Sequence, residues 1–212
     1  MFSKEFSDEK ILKKFGIKCG KNCNIHKTAI VTHPENLILK NNIRIDAYTI
    51  IVNPKKITIN NYVHIGSHVL LHAGAEQIIL NDYSGISSGV KIFTHTDDYK
   101  GDEFYSCFNK SKITGTKSKI VLNKYCLVGT NSVVVPKAYF SEGSTLGPLS
   151  FISKLPICRC IVFKNPNLRK NFANFDVFLI FPKIIFFDFM IFCKFIKSKN
   201  VIFGKIKKTS KF

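Results

Sequence analysis

Six histidines have the side chain best suited to moving protons near neutrality: His26, His33, His64, His68, His72 and His95. An imidazole with a free pKa of about 6.5 serves as general base or acid at physiological pH. His95 is set apart from the others by its downstream neighbours. Asp97 and Asp98 come just after it, and a carboxylate there can orient an imidazole or bind hydroxyl groups. From Asp98 to Lys119 the chain then turns to Lys, Ser, Gly, Asp and Tyr. A loop of that length inside a compact domain is usually functional or disordered. His64, His68 and His72 recur every four residues. On an α-helix that spacing would align three metal ligands on one face, so the element carrying them decides. The seven cysteines are odd in number and lack paired CxxC spacing, and neither Cys19/Cys23 nor Cys158/Cys160 has a second pair at zinc-ribbon distance. No disulfide framework is expected, which suits a reducing cytoplasm.

The element is set by a repeat. Leu122, Val128, Val134, Phe140, Leu146 and Ile152 are spaced by six, and small residues (Cys126, Ser132, Ala138, Ser144, Ser150) stand four places after the first five. The rule runs back through Leu80, Ile86, Ile92; Ile59, Ile65, Leu71; Leu39, Ile45, Ile51; and Ile25, Val31, with Cys19 in the first slot. After each Val31, Ile51, Leu71 and Ile92 the step is longer. A helix repeats near 3.6 and an alternating strand at 2, so neither explains six. Short strands joined by turns and wound as a parallel β-helix do explain it. Three hexads make one triangular turn, surplus residues leave at one corner, and about six coils cover residues 19–155. The large residues form ladders worth roughly 1.5–3 kcal/mol per fully buried side chain. On such a coil His64, His68 and His72 occupy three different slots and diverge. His72 and His95 lie in the third unit of successive coils, on the same face.

This reading divides the chain into three segments. Residues 1–18 carry a short helix over Ser7–Phe15 with Ser7 or Asp8 as N-cap, residues 19–155 form the coil with an inserted loop 98–119, and residues 156–212 form a Phe- and Lys-rich extension.

The run LNKYCLVGTNSVVVPKAYFSEGSTLGPLSFISK, Leu122 to Lys154, resembles the closing coils of the hexapeptide-repeat acyltransferases. KIFTHTDDYKG, Lys91 to Gly101, is similar to the active-site strand and loop of their sugar O-acetyltransferase branch, the galactoside and maltose acetyltransferases. The resemblance implies an all-β, left-handed parallel β-helix, usually a homotrimer, that moves an acetyl group from acetyl-CoA to a sugar without a metal. It implies His95 as the catalytic base; the place of His72 on the same face, and the carboxylates of Asp97 and Asp98 just downstream, make these three the candidates for holding the acceptor. By position it puts CoA against Gly129, Ser132, Gly147 and Ser150, with Lys154 and Arg169 near its phosphates. The steric demands of the hexad are the competing explanation for each Gly and Ser. The leading expectation is an O-acetyltransferase acting on a sugar hydroxyl in surface-polysaccharide or glycoconjugate synthesis. The alternative is an N-acetyltransferase of a nucleotide-linked amino sugar. Further off stand a β-helix scaffold without catalysis and a γ-class carbonic anhydrase, built on the same coil with three zinc histidines.

Lys and Arg number 32 against 14 Asp and Glu, a formal charge of +18. That balance favours an anionic partner such as the CoA phosphates or a membrane surface. No RRM, KH or helix-turn-helix signature is present, so nucleic acid is not expected. Met1 to Lys14 is charged and has no apolar core, so no signal peptide is expected. Val177 to Ile196 is nearly all apolar but is interrupted by Pro182, Lys183, Asp188 and Lys194. A Lys or Asp at the bilayer centre costs about 2.5–3.5 kcal/mol, which disfavours spanning. The stretch 177–212 then suits an anchor lying in the membrane interface, packing against the coil, or low-complexity drift. The expected location is the cytoplasm, with peripheral contact at the inner face of the cytoplasmic membrane.

Overall fold

The computed structural model describes residues 6–97 and 115–153, and the backbone of two short strands at 156–157 and 161–162. All of these lie in the first of two compact units, 1–179; the second, 180–212, is outside the described residues. Strands of two to four residues wind into three sheets of eight, six and seven strands. Within the coil every pairing is parallel, and the hexads explain the register.

Cys19, Leu39, Ile59, Leu80, Leu122 and Phe140 stack in one sheet. Ile25, Ile45, Ile65, Ile86, Val128 and Leu146 stack in the next. Val31, Ile51, Leu71, Ile92, Val134 and Ile152 stack in the third. From Leu39 onward none of these side chains is more than 2% exposed. The small hexad residues Cys126, Ser132, Ala138, Ser144 and Ser150 are buried at the bends between them. Surplus residues leave after the third sheet, as a 3-10 turn at Pro34–Asn36, as the 73–77 turn, and as the insertion beyond Thr94.

The corners need left-handed backbone, which β-carbons oppose by roughly 1–2 kcal/mol per residue. Among the described residues ten non-glycines adopt it. Asn22, Asn42 and Asn131 tolerate it through their short polar side chains. Tyr62, Tyr83 and Tyr125 do not, yet they take φ of 58–59° at one corner of three successive coils. Their rings stack face to face with centroids 4.9 and 5.1 Å apart. Each such pair contributes about 0.5–1.5 kcal/mol, which offsets much of the backbone cost.

The ends modify the expected boundaries. The helix is Glu9–Lys14, capped by Asp8, whose carboxylate accepts from the amides of Lys10 and Ile11 at 3.1 Å. Ser7 instead belongs to a strand, Phe6–Ser7, paired antiparallel to Cys23–His26. Leu12 and Ile17, both buried, seal the first coil. At the other end the coil passes residue 155. Strands 156–157 and 161–162 place Ile157 beside Phe140 and Val162 beside Leu146. The steps Ile152 to Ile157 to Val162 are five residues, not six, so the repeat loses its period while the pairing continues. Among the described residues no helix is long and apolar enough to cross a membrane.

Candidate active site

His72 ends the strand Leu70–His72, and His95 begins the strand His95–Thr96 on the next coil. The strand after the third sheet does not turn into a new coil here. It runs out as a ribbon, with His95 opposite Lys117 and Thr96 opposite Thr116 in antiparallel register. The inserted segment therefore leaves from a paired base. Gly115 lies so close to the Thr96 carbonyl that no β-carbon fits.

The two imidazoles face each other with centroids 5.1 Å apart and planes at 43°. Phe93 packs on His72 at 5.9 Å. Nδ1 of each histidine is buried and has no hydrogen-bond partner among the described residues. Burial holds the His72 pKa below the ordinary imidazole value, and the charge of a protonated His95 lowers it further. A lowered pKa favours the neutral form of His72, in which one ring nitrogen is an acceptor.

The sequence-expected residues divide by place. His72 and His95 meet at this corner, and Asp97 comes after the ribbon as an exposed residue. Gly129, Ser132, Gly147 and Ser150 lie together at the corner that feeds the third sheet. There the Ser132 hydroxyl donates to the Gly147 carbonyl at 2.8 Å and accepts from the Ser150 amide at 3.1 Å. The Ser150 hydroxyl donates to the Pro148 carbonyl at 3.3 Å. A β-carbon on Gly129 would stand 2.5 Å from the Pro148 nitrogen and 2.7 Å from the Gly147 carbon. Coil stacking alone thus accounts for Gly129, and both serine side chains are turned inward. Third-sheet strands of two or three residues, about 7–10 Å long, separate this corner from the histidines. Asp98, Lys154 and Arg169 lie outside the described residues, as do the segment 98–114 and the tail from 163.

One constellation was not anticipated. On the second sheet His64 Nε2 meets Asp46 Oδ2 at 2.7 Å, and Arg44 Nε donates to Asp46 Oδ1 at 2.7 Å. Burial would raise the Asp46 pKa, but the hydrogen bonds and charges of Arg44 and His64 outweigh it and hold the carboxyl below its usual value. The pair heads a groove of about 270 Å³ also lined by Gly85, Ser87, Ser88 and Thr130. Its sequence signal was the outward position shared by Arg44, His64, Gly85 and Leu127, where Gly85 leaves a gap. His68, by contrast, packs on Tyr48 at a corner, 5.1 Å between centroids. His64, His68 and His72 therefore point apart. Among the described residues no group of three or more His, Cys, Asp or Glu is placed to hold a metal ion.

A three-sided coil of parallel hexad strands is the architecture of the left-handed β-helix acyltransferases, and the chain belongs to that family. It is 30% identical over 152 residues to the dTDP-4-amino-4,6-dideoxy-D-glucose acyltransferase of Escherichia coli, covering 70% of this chain and 79% of that protein. Among solved structures it is similar to AntD, an N-acyltransferase from Bacillus cereus. A variant of AntD in complex with dTDP and coenzyme A superposes with a TM-score of 0.71 at 26% identity, covering 80% of this chain and 97% of that one. Another, in complex with dTDP-4-amino-4,6-dideoxyglucose and coenzyme A, gives 0.71 at 25% identity, with the same coverage. No protein-family model matches the chain.

Proposed function

We propose that the protein transfers an acyl group from acyl-CoA to the amine of a dTDP-linked amino sugar, with His95 as base. The observation that carries this reading is the His72–His95 pair, a base-bearing corner with no activated thiol beside it among the described residues. The described thiols are unsuited to covalent catalysis. Burial pushes Cys23 up to about 11 and raises Cys19 and Cys126 as well, and the thiolate is the reactive form. Direct transfer needs no such nucleophile. The relatives' acceptor carries an amine, which favours the amino-sugar alternative over the hydroxyl acceptor expected from Lys91–Gly101.

In this mechanism the neutral amine attacks the thioester carbonyl, forming the C–N bond and a tetrahedral oxyanion. His95 takes the proton that the nitrogen loses. Collapse breaks the C–S bond, and the same proton passes from the imidazolium to the departing thiolate. Amide and free CoA result, with His95 restored. The +18 charge favours approach of both polyanionic substrates. Acetyl-CoA is the donor this reading expects, and the cytoplasm, where acyl-CoA is made, the compartment. A homotrimer is the assembly this reading expects; the outward ladder of the third sheet, Ile30, Ile50, Leu70, Lys91, Val133 and Phe151, is apolar except for the exposed Lys91. Ile30 and Phe151 in it are 56% and 52% exposed.

Incubation with acetyl-CoA and dTDP-4-amino-4,6-dideoxy-D-glucose, with thiol release and mass spectrometry of the sugar nucleotide as readouts, tests the proposal. The acetamido product is expected. Acetylation of a sugar hydroxyl with the amino sugar untouched would return the enzyme to the O-acetyltransferase branch. Failure to bind acetyl-CoA in calorimetry would leave a scaffold.

A further inference from the structure

Gly74 sits in the 73–77 turn directly beneath both histidines. A β-carbon there would stand 2.6 Å from His72 Cε1, 2.9 Å from His95 Cε1 and 3.1 Å from His72 Nδ1. Real β-carbons essentially never come that close to a neighbour. Left-handed backbone does not explain the glycine, since it is absent from the described residues with positive φ. The three atoms nearest such a β-carbon all belong to the two imidazoles, so the rings are what a side chain would meet first.

The turn carrying Gly74 is pinned by one hydroxyl. Thr94 is fully buried, and its Oγ1 accepts from the amides of Ala75 at 3.3 Å and Glu76 at 3.2 Å. The same hydroxyl donates to the His72 carbonyl at 3.3 Å. Thr94 is also the residue before His95, and its amide donates to the His72 carbonyl at 3.1 Å. A single side chain therefore ties the turn to both histidine-bearing segments.

We propose that Gly74, clamped by Thr94, is a positioning residue for acyl transfer: its missing side chain lets the Cε1 edges of His72 and His95 close on one another over the turn. The proposal rests on the reading of His95 as base. A base displaced by about 1 Å can lose 10²-fold in rate, so a buried contact this tight is expected to act on turnover rather than on affinity.

Two variants test it. Gly74→Ala should lower kcat about 10- to 10²-fold with the KM for acetyl-CoA nearly unchanged. At a site with free space the same substitution would stabilise the protein. Thr94→Val keeps the shape, removes the three hydroxyl bonds, and should lower kcat in the same direction, which covers the case of a misfolded Gly74→Ala. In protein labelled with ¹³C at the histidine Cε1 atoms, the Gly74 α-protons should show NOEs to the Cε1–H of both His72 and His95. Both signals should move in Gly74→Ala. Unmoved signals overturn the proposal whatever the acceptor proves to be, and moved signals with wild-type kcat overturn it too. Absence of activity in the unmodified enzyme, with the NOEs present, would instead sink the proposed reaction and leave the packing role of Gly74 standing.

Discussion

Two corners of the same coil show what regularity costs and what irregularity allows. At the first, Tyr62, Tyr83 and Tyr125 repeat one strained backbone geometry on successive coils, and their stacked rings offset it. At the second, His72 and His95 also come from successive coils, yet the strand leaves as a ribbon and two buried nitrogens stay unpaired among the described residues. The tyrosine corner uses its interactions to hold the fold. The histidine corner leaves two buried ring nitrogens without partners among the described residues, an arrangement that costs about 1–3 kcal/mol per group.

The sharpest way to break that contrast is His95→Ala. Loss of a general base should lower kcat by about 10² to 10⁴, nearer the lower figure for an amine, while calorimetry shows acetyl-CoA binding little changed. Undiminished turnover would pass the base role to His72. Next in size, Tyr83→Ala removes both ring stacks and keeps the left-handed strain, so a loss of about 1–3 kcal/mol is expected in urea unfolding. Tyr83→Gly also loses the stacks but relieves the strain, and should cost less than the alanine variant. An equal cost for the two would mean that the tyrosines do not carry the strain assigned to them.

A smaller effect concerns pH. The folded His72 pKa is depressed, so its unfolded form binds more protons below the ordinary value near 6.5. Its contribution to stability is therefore complete above about pH 6.5 and is lost as pH falls through the lowered value. His72→Gln should flatten that part of the stability curve, read from urea midpoints between neutrality and mildly acid pH. Asp46, also depressed, loses its contribution only in the carboxylate range, so the two windows separate. Smallest of all is the expected effect of EDTA. Transfer should run at an unchanged rate, because base and thioester suffice; a requirement for added zinc would revive the anhydrase reading.

The period of six determined much by itself. It located every core ladder from Cys19 to Ile152, the small bend residues, the exit of the insertion near His95, and the pairing of His72 with His95 on one face. These arise from local stereochemistry that repeats in each coil, so a single chain displays them. It did not reach strands 156–157 and 161–162, because steps of five keep the pairing while erasing the period. The Asp46–His64 contact was decided only by tertiary structure, since residues eighteen apart meet through the number of residues in one coil. Tertiary structure also decided how the imidazoles face each other and why residue 74 has no side chain. Those depend on rotamers and on the turn pinned by Thr94, and neither leaves a mark on the spacing of apolar residues.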